Sequence, residues 1–323
     1  MENKKKFDVT TLGSTMLRLS VPPGERLETA PCFQVHTAGS ESNTMVALSR
    51  MGKQCAWVSK LCDNALGQRI VHDIRGYNVD VAGVVWENKG RNESFFVEYG
   101  AKPRKINVIY DRENAAVSTI APGQIDRAFI LNTRIFHGTG IFPALSQTCC
   151  TTLTEIMKAA RQAGVVTSFD VNFRKGLWSE ERAARTLDPF MGLSDLIFIT
   201  REDALDLFGH KGSPQDVVTA VFNRFSPKIC IVTLGNEGGI AYDGDTMWET
   251  RAYDVEAVDR LGAGDSFTAG FLCGFLENNV AKGMAYASAM AALKLGIKGD
   301  YFTSGRREVE ALLTRDPGRE VGR

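Results

Sequence analysis

The sequence has no excess charge of either sign. Its 38 lysines and arginines balance 38 aspartates and glutamates, so the formal net charge is zero. A chain without a basic field is not built to bind nucleic acid or an anionic membrane, and any anionic ligand must be held by local groups. No apolar run is long enough to span a bilayer. The basic start MENKKKFDV is not followed by the apolar stretch of a signal peptide. The seven cysteines are scattered and never spaced C-x-x-C, which suits reduced thiols of a cytoplasmic protein, mostly packed as small hydrophobes. His36, His72, His137 and His210 are far apart and form no zinc-like pattern. No G-x-x-x-x-G-K-[ST] stretch occurs, which excludes a Walker-type nucleotide site. Internal repeats and low-complexity segments are also missing.

What the chain does contain is alternation. With 323 residues, 44% of them hydrophobic, it can bury one large core and carry a small appendage, so residues 1–323 are read as a single domain. Strand-like runs fall at Phe7–Leu12, Cys55–Ser59, Arg134–His137, Val165–Asp170, Leu196–Ile199 and Lys228–Thr233. Helical spacing falls at Asn43–Met51, Ala65–Arg75, Thr148–Ala163, Glu180–Leu187, Ser213–Phe225, Ser266–Glu277 and Met284–Leu295. The Val79–Val85 region follows the second helix without a clear type. Apolar strands alternating with amphipathic helices predict an α/β fold with a doubly wound, mostly parallel sheet. Leu17–His36 and Glu93–Ala116 break the rhythm. They are turn-rich, and SFFVEYG and INVIYDR alternate apolar with polar residues, so they can pair into a small projecting β-sheet or remain two surface hairpins.

In an open parallel sheet, ligands sit at the carboxyl ends of the strands. Three loops there carry chemistry. Gly262–Asp265 (GAGD) is expected after a short strand and at the start of a helix. Glycines let backbone N–H groups approach an anion, and the helix N-terminus adds a positive dipole end. A carboxylate in that place, Asp265, either caps the helix or accepts the proton of an attacking hydroxyl. Thr233–Gly239 (TLGNEGG) can turn around a nucleotide phosphate or simply close a hairpin. Asp170–Arg174 is the third loop. Phe267, Phe271 and Phe275 recur every four residues, a spacing that points to the core.

Taken in order, these stretches resemble the ribokinase-like (phosphofructokinase B) family of sugar kinases over nearly the whole chain. The late signature of that family is matched by Asp259, Gly262–Asp265, Phe267 and Ala269–Phe271. The early one is matched by AGSESNTMVALSRMG, Ala38–Gly52. The resemblance implies ATP and Mg²⁺ as cofactors and assigns roles residue by residue. Asp265 is the base, and Gly262, Ala263 and Gly264 form the anion hole. Gly39 and Asn43 face the sugar, and Thr233, Gly235 and Gly238 hold the nucleotide. Asp259 holds its loop, either through a monovalent cation such as K⁺ or through hydrogen bonds alone. Residues 16–38 and 93–116 form a β-sheet lid that often pairs two subunits, so a homodimer or larger homo-oligomer is expected. The family's Asn-x-x-Glu near the phosphates is replaced by Thr200 and Asp203, with Glu202 adjacent, as the set that places Mg²⁺ through water.

Within the family the chain is most similar to kinases of 2-keto-3-deoxygluconate. GSTMLRLSVPPGERL, VIYDRENAA, FDVNFRKGLW and ALKLGIKGD carry that likeness. A carboxylate-bearing sugar calls for arginine, and Arg112 and Arg174 are the candidates, with Tyr110 a further sugar contact. The early aspartate of many neutral-sugar kinases is missing from GSTMLRLS. Phe95 stands where acid-sugar kinases often have tyrosine. A neutral ketose such as fructose is the alternative substrate. A dehydrogenase is disfavoured by the lack of a full dinucleotide fingerprint, and a non-catalytic sugar sensor by the intact GAGD loop.

Overall fold

A computed structural model describes residues 5–100 and 103–314. Its strands are β1 (Phe7–Leu12), β2 (Met16–Ser20), β3 (Gln34–Ala38), β4 (Cys55–Val58), β5 (Lys60–Cys62), β6 (Val85–Glu87) and β7 (Ser94–Glu98). They continue as β8 (Asn107–Asp111), β9 (Thr133–Thr139), β10 (Val166–Asp170), β11 (Leu196–Thr200), β12 (Ile229–Thr233), β13 (Gly239–Tyr242) and β14 (Met247–Thr250). Eight of them form the main sheet in the order β14-β13-β12-β11-β10-β9-β1-β4. All its pairs are parallel except β12 with β13 and β13 with β14.

The two-residue alternation of a strand accounts for the layering. On β11, Leu196 and Phe198 join one core while Ile197 and Ile199 join the other. β12 divides in the same way, with Ile229 and Ile231 against Cys230 and Val232. One core includes buried residues of the helices Ser40–Arg50, Ala65–Arg75, Ala263–Leu276 and Val280–Leu295. The other includes those of Gln147–Gln162, Glu180–Gly192 and Pro214–Phe225. Being buried on both faces is why these strands read as continuous apolar runs. Among the described residues no helix is long and apolar enough to cross a membrane.

The two irregular segments pair as expected, into a four-stranded sheet ordered β3-β2-β7-β8. Its register sets two faces. His36, Arg18, Phe95 and Tyr110 align across the strands in one row, and Val35, Leu19, Phe96 and Ile109 in the next. The first row includes the buried Arg18 and Phe95, while Val35 and Ile109 of the second are exposed.

Three sequence expectations are corrected. No strand precedes the GAGD loop: residues 251–262 have no strand partner, and the backbone amides of Val258 and Asp259 donate to the Leu295 carbonyl instead. The helix after the loop starts at Ala263, three residues early, so Asp265 lies inside its first turn. The first long helix likewise starts at Ser40, ahead of Asn43, with Gly39 at its N-cap.

Candidate functional site

Asp265 is not a helix cap. The N-cap position belongs to Gly262, whose φ of 84° is left-handed, and a Cβ there would lie 2.0 Å from the Asp300 carbonyl oxygen. Glycine is therefore required both by conformation and by close approach. The Asp265 carboxylate instead faces the helix Ser40–Arg50. Its Oδ1 accepts from the Ser40 hydroxyl at 2.6 Å, and its Oδ2 accepts from Asn43 Nδ2 at 2.6 Å. Asn43 is oriented in turn by the Gly39 amide, which donates to its Oδ1 at 3.3 Å, and Ser40 by Asn172 Nδ2 at 2.9 Å. Asn172 has a left-handed φ of 40°, a conformation asparagine tolerates better than most residues. Burial raises the Asp265 pKa, and the two hydrogen bonds with the charges of Arg174 and Lys294 pull it back. The outcome is a desolvated carboxylate held in one orientation, suited to taking a proton.

Two cavities meet at this turn. The first, of about 660 Å³, is lined by Gly39, Asn43, Tyr110, Arg112, Arg174, Gly262 and Asp265, together with residues the sequence did not single out such as Ser14 and Arg91. The second, of about 540 Å³, is lined by Thr233, Gly235, Gly238, Ala263, Gly264 and Phe267. The glycine turn is thus shared, with Gly262 on one side and Gly264 on the other. The Thr233–Gly239 loop closes the hairpin between the antiparallel β12 and β13, and it also forms a wall of the second cavity. The core reading of the phenylalanine stripe holds: Phe267 and Phe271 are buried in the core and Phe275 packs against it, while Phe267 also lines that cavity.

The two arginines assigned to a substrate carboxylate differ in their freedom. Arg112 Nε donates to the buried Glu93 at 2.9 Å, and its Nη2 to the Ser14 hydroxyl at 3.1 Å. Its guanidinium lies 5.9 Å from the centre of the Tyr110 ring, which stacks on Phe95. Arg174 makes no ion pair among the described residues, and its charge lowers the pKa values of Asp170, Asp203 and Asp265.

The three residues expected to place a magnesium ion differ in their surroundings. The Thr200 hydroxyl caps the helix Arg201–Phe208 by accepting from the Asp203 amide at 2.9 Å. Asp203 Oδ2 accepts from the Phe173 amide at 3.3 Å, while Glu202 is exposed. Burial raises Asp203 to about 6, and burial with the neighbouring charges of Asp265 and Asp203 raises Asp170 to about 8. Two such carboxylates are short of positive charge. No group of three acidic, histidine or cysteine side chains among the described residues could hold a metal directly. The two carboxylates fit a hydrated Mg²⁺ held mainly through water and phosphate.

Asp259 does not fit a monovalent cation. Its Oδ2 accepts from Arg18 Nη2 at 2.6 Å, the Tyr99 hydroxyl at 2.8 Å and the Gly299 amide at 3.1 Å. Its Oδ1 accepts from the Leu261 amide at 3.2 Å, and its carbonyl from Lys294 Nζ at 3.1 Å. Arg18 is fully buried and also pairs with Asp300. Sequence reasoning missed Arg18 and Lys294. A charge in the apolar strand MLRLS was the available signal for the first.

The pfkB family carbohydrate kinase model matches residues 6–304. This chain belongs to that family. The kinase is 36% identical over 307 residues to the 2-dehydro-3-deoxygalactonokinase of Haloferax volcanii, covering 95% of this chain and 96% of that one. It superposes on the crystal structure of 2-dehydro-3-deoxygluconokinase from Thermotoga maritima with a TM-score of 0.90 and 30% identity, covering 96% of this chain and all of that one. A ribokinase-like structure from E. coli, solved in complex with ATP and Mg²⁺, shares the fold at a TM-score of 0.87 and 23% identity, covering 96% of this chain and all of that one. The kinase therefore has the ribokinase-like fold.

Proposed function

We propose that this kinase transfers the γ-phosphoryl group of ATP to a primary hydroxyl of a 2-keto-3-deoxy acid sugar, 2-keto-3-deoxygluconate or its galactonate epimer. The observation that carries the reading is the first cavity, where Arg112 and Arg174 share one space with Asp265. Guanidinium groups suit a carboxylate at one end of the sugar, and Asp265 suits the hydroxyl at the other. Similarity to relatives named for both epimers supports the same substrate class.

In this reading the sugar lies against Gly39, Asn43 and Tyr110, and ATP lies in the second cavity along Thr233, Gly235 and Gly238. Asp265 takes the proton of the hydroxyl as its oxygen attacks the γ-phosphorus, and the bond to the ADP oxygen breaks. The first-turn amides have no intrahelical partner, and those of Ala263 and Gly264 face the charge that develops on the phosphoryl oxygens. Magnesium, when bound, neutralises phosphate charge. Asp203 and Asp170 would hold it through water. The small sheet is the lid, carrying Tyr110 and bringing Arg112 beside it. Use of ATP together with unpaired thiols suits a cytoplasmic setting.

The test is product analysis with ATP and a panel of both epimers, fructose and ribose. The expected product is a phosphate monoester on the primary hydroxyl, detected by ³¹P NMR, with one ADP per ester. Phosphorylation of fructose alone would move the assignment to a neutral-ketose kinase. ATP hydrolysis without any ester would remove the kinase reading.

The exposed row of the lid motivates an assembly prediction. Val35 and Ile109 lie in the row with Leu19 and Phe96, and Phe33 packs edge-on against Phe96. Such a face and its open sheet edges are best covered. Two lids are expected to cover each other in a homodimer, alone or within a larger homo-oligomer. Light scattering at micromolar concentration is expected to give at least twice the monomer mass, and Ile109→Lys is expected to lower it. A monomer in the unaltered protein would refute this assembly.

A further inference from the structure

The turn that ends in the catalytic glycines is clamped by two buried cations, and only one of them is an ordinary ion pair. Arg18 grips the side chain of Asp259. Lys294, fully buried in the last turn of Val280–Leu295, has no carboxylate of its own among the described residues. Its Nζ donates to two backbone carbonyls, those of Asp259 and Ile297, both at 3.1 Å. An ammonium removed from water is costly unless oxygen ligands and opposite charge replace its hydration. The ligands here are main-chain oxygens, the kind that hold hard cations, and the opposite charge comes from Asp259 and Asp300, both on Arg18. The same carbonyl-lined place lies between the two segments that set the glycine turn. Val258 and Asp259 donate to Leu295, and Gly262 lies against the Asp300 carbonyl.

We propose that Lys294 is a tethered cation that takes the place of a monovalent metal ion, bracing the Asp259–Gly262 turn so that the Ala263 and Gly264 amides are positioned without K⁺. It is a positioning residue, since it acts through the turn and reaches no reacting atom. The family chemistry expected a K⁺ here, and the protein supplies the charge from its own chain. The lysine is also felt at the active carboxylate, because its charge opposes the rise in the Asp265 pKa. The proposal rests on the kinase reaction but not on which sugar is phosphorylated.

Two measurements test it, one of them independent of any substrate. Turnover of the unaltered kinase, with whichever sugar it accepts, should agree within about twofold in K⁺, Na⁺ and tetramethylammonium chloride at equal ionic strength. Its melting temperature without ligands should not differ between K⁺ and tetramethylammonium. Lys294→Ala removes two charge-assisted hydrogen bonds and should lower turnover by about tenfold or more. Turnover and melting temperature of the variant should both recover in K⁺ and not in tetramethylammonium, a selectivity that loss of packing would not produce. Several-fold activation of the unaltered kinase by K⁺ overturns the proposal, even if the variant fails to fold. A variant impaired but indifferent to K⁺ in both readouts also overturns it and leaves Lys294 as packing. If no sugar is phosphorylated, the proposed function fails while the melting comparison still decides the cation.

Discussion

Asp265→Asn lowers turnover by roughly 10²–10⁴, the range expected for loss of a general base, and leaves ATP and sugar binding nearly unchanged. The geometry explains why the two effects separate. Asparagine can keep its place between Ser40 and Asn43, which now hold both carboxylate oxygens at 2.6 Å. What it cannot do is accept a proton. The pH profile carries a second signature. Burial raises the Asp265 pKa, so the unaltered kinase should lose turnover on the acid side at a pH above the ordinary aspartate value. The loss follows protonation of the base, so activity is full above that pKa and falls below it. This limb should vanish in the asparagine variant. Turnover within a few-fold of the unaltered kinase would return Asp265 to a structural role.

The second large effect concerns the carboxylate of the substrate. Arg174→Ala should lower kcat/KM for the acid sugar by roughly 10–200-fold, the value of one hydrogen bond to a charged group at about 1.5–3 kcal/mol. A weakly accepted neutral ketose should lose far less. Arg174 suits this comparison because it has no ion pair among the described residues that its removal would break. Arg112 is a poorer subject. Its truncation strands the buried Glu93, a carboxylate burial already pushes upward in pKa, and breaking such a pair costs stability with every substrate. Arg112→Ala should therefore depress both activities together, and only its excess effect on the acid sugar reports recognition. Equal losses on both sugars in Arg174→Ala would place that arginine with the phosphoryl group instead of the carboxylate. The field it exerts on Asp170, Asp203 and Asp265 makes this outcome a sharp one.

How far the sequence could be read depended on the range of the interaction. Alternating apolar strands and amphipathic helices are local patterns, so the Ala65–Arg75 helix and β1 were legible to the residue. The glycine turns were legible because only glycine tolerates φ of 84° against a carbonyl. The start of the following helix was not. The residues alone allowed a capping aspartate as well as a base, and the partners of Asp265 lie 222 and 225 residues away on another helix. Arg18 was missed for the same reason, since its partners Asp259 and Asp300 come from the far end of the chain. Lys294 carried a misleading signal. A lysine in the last turn of a helix is an ordinary complement to the dipole, and nothing local tells that its ammonium turns inward to two carbonyls. The Thr200-x-x-Asp203 departure from Asn-x-x-Glu was visible, and the structure divides it into a cap and a half-buried carboxylate.

Carboxylate recognition by this kinase is tested most directly by the ratio of kcat/KM for 2-keto-3-deoxygluconate or its galactonate epimer to that for fructose, measured with ATP and Mg²⁺. If two arginines in the first cavity hold a carboxylate, the ratio should be about 10² or more for at least one epimer, the sum of charge-assisted bonds that fructose cannot make. A ratio below one for both epimers, with efficient phosphorylation of fructose, would contradict it.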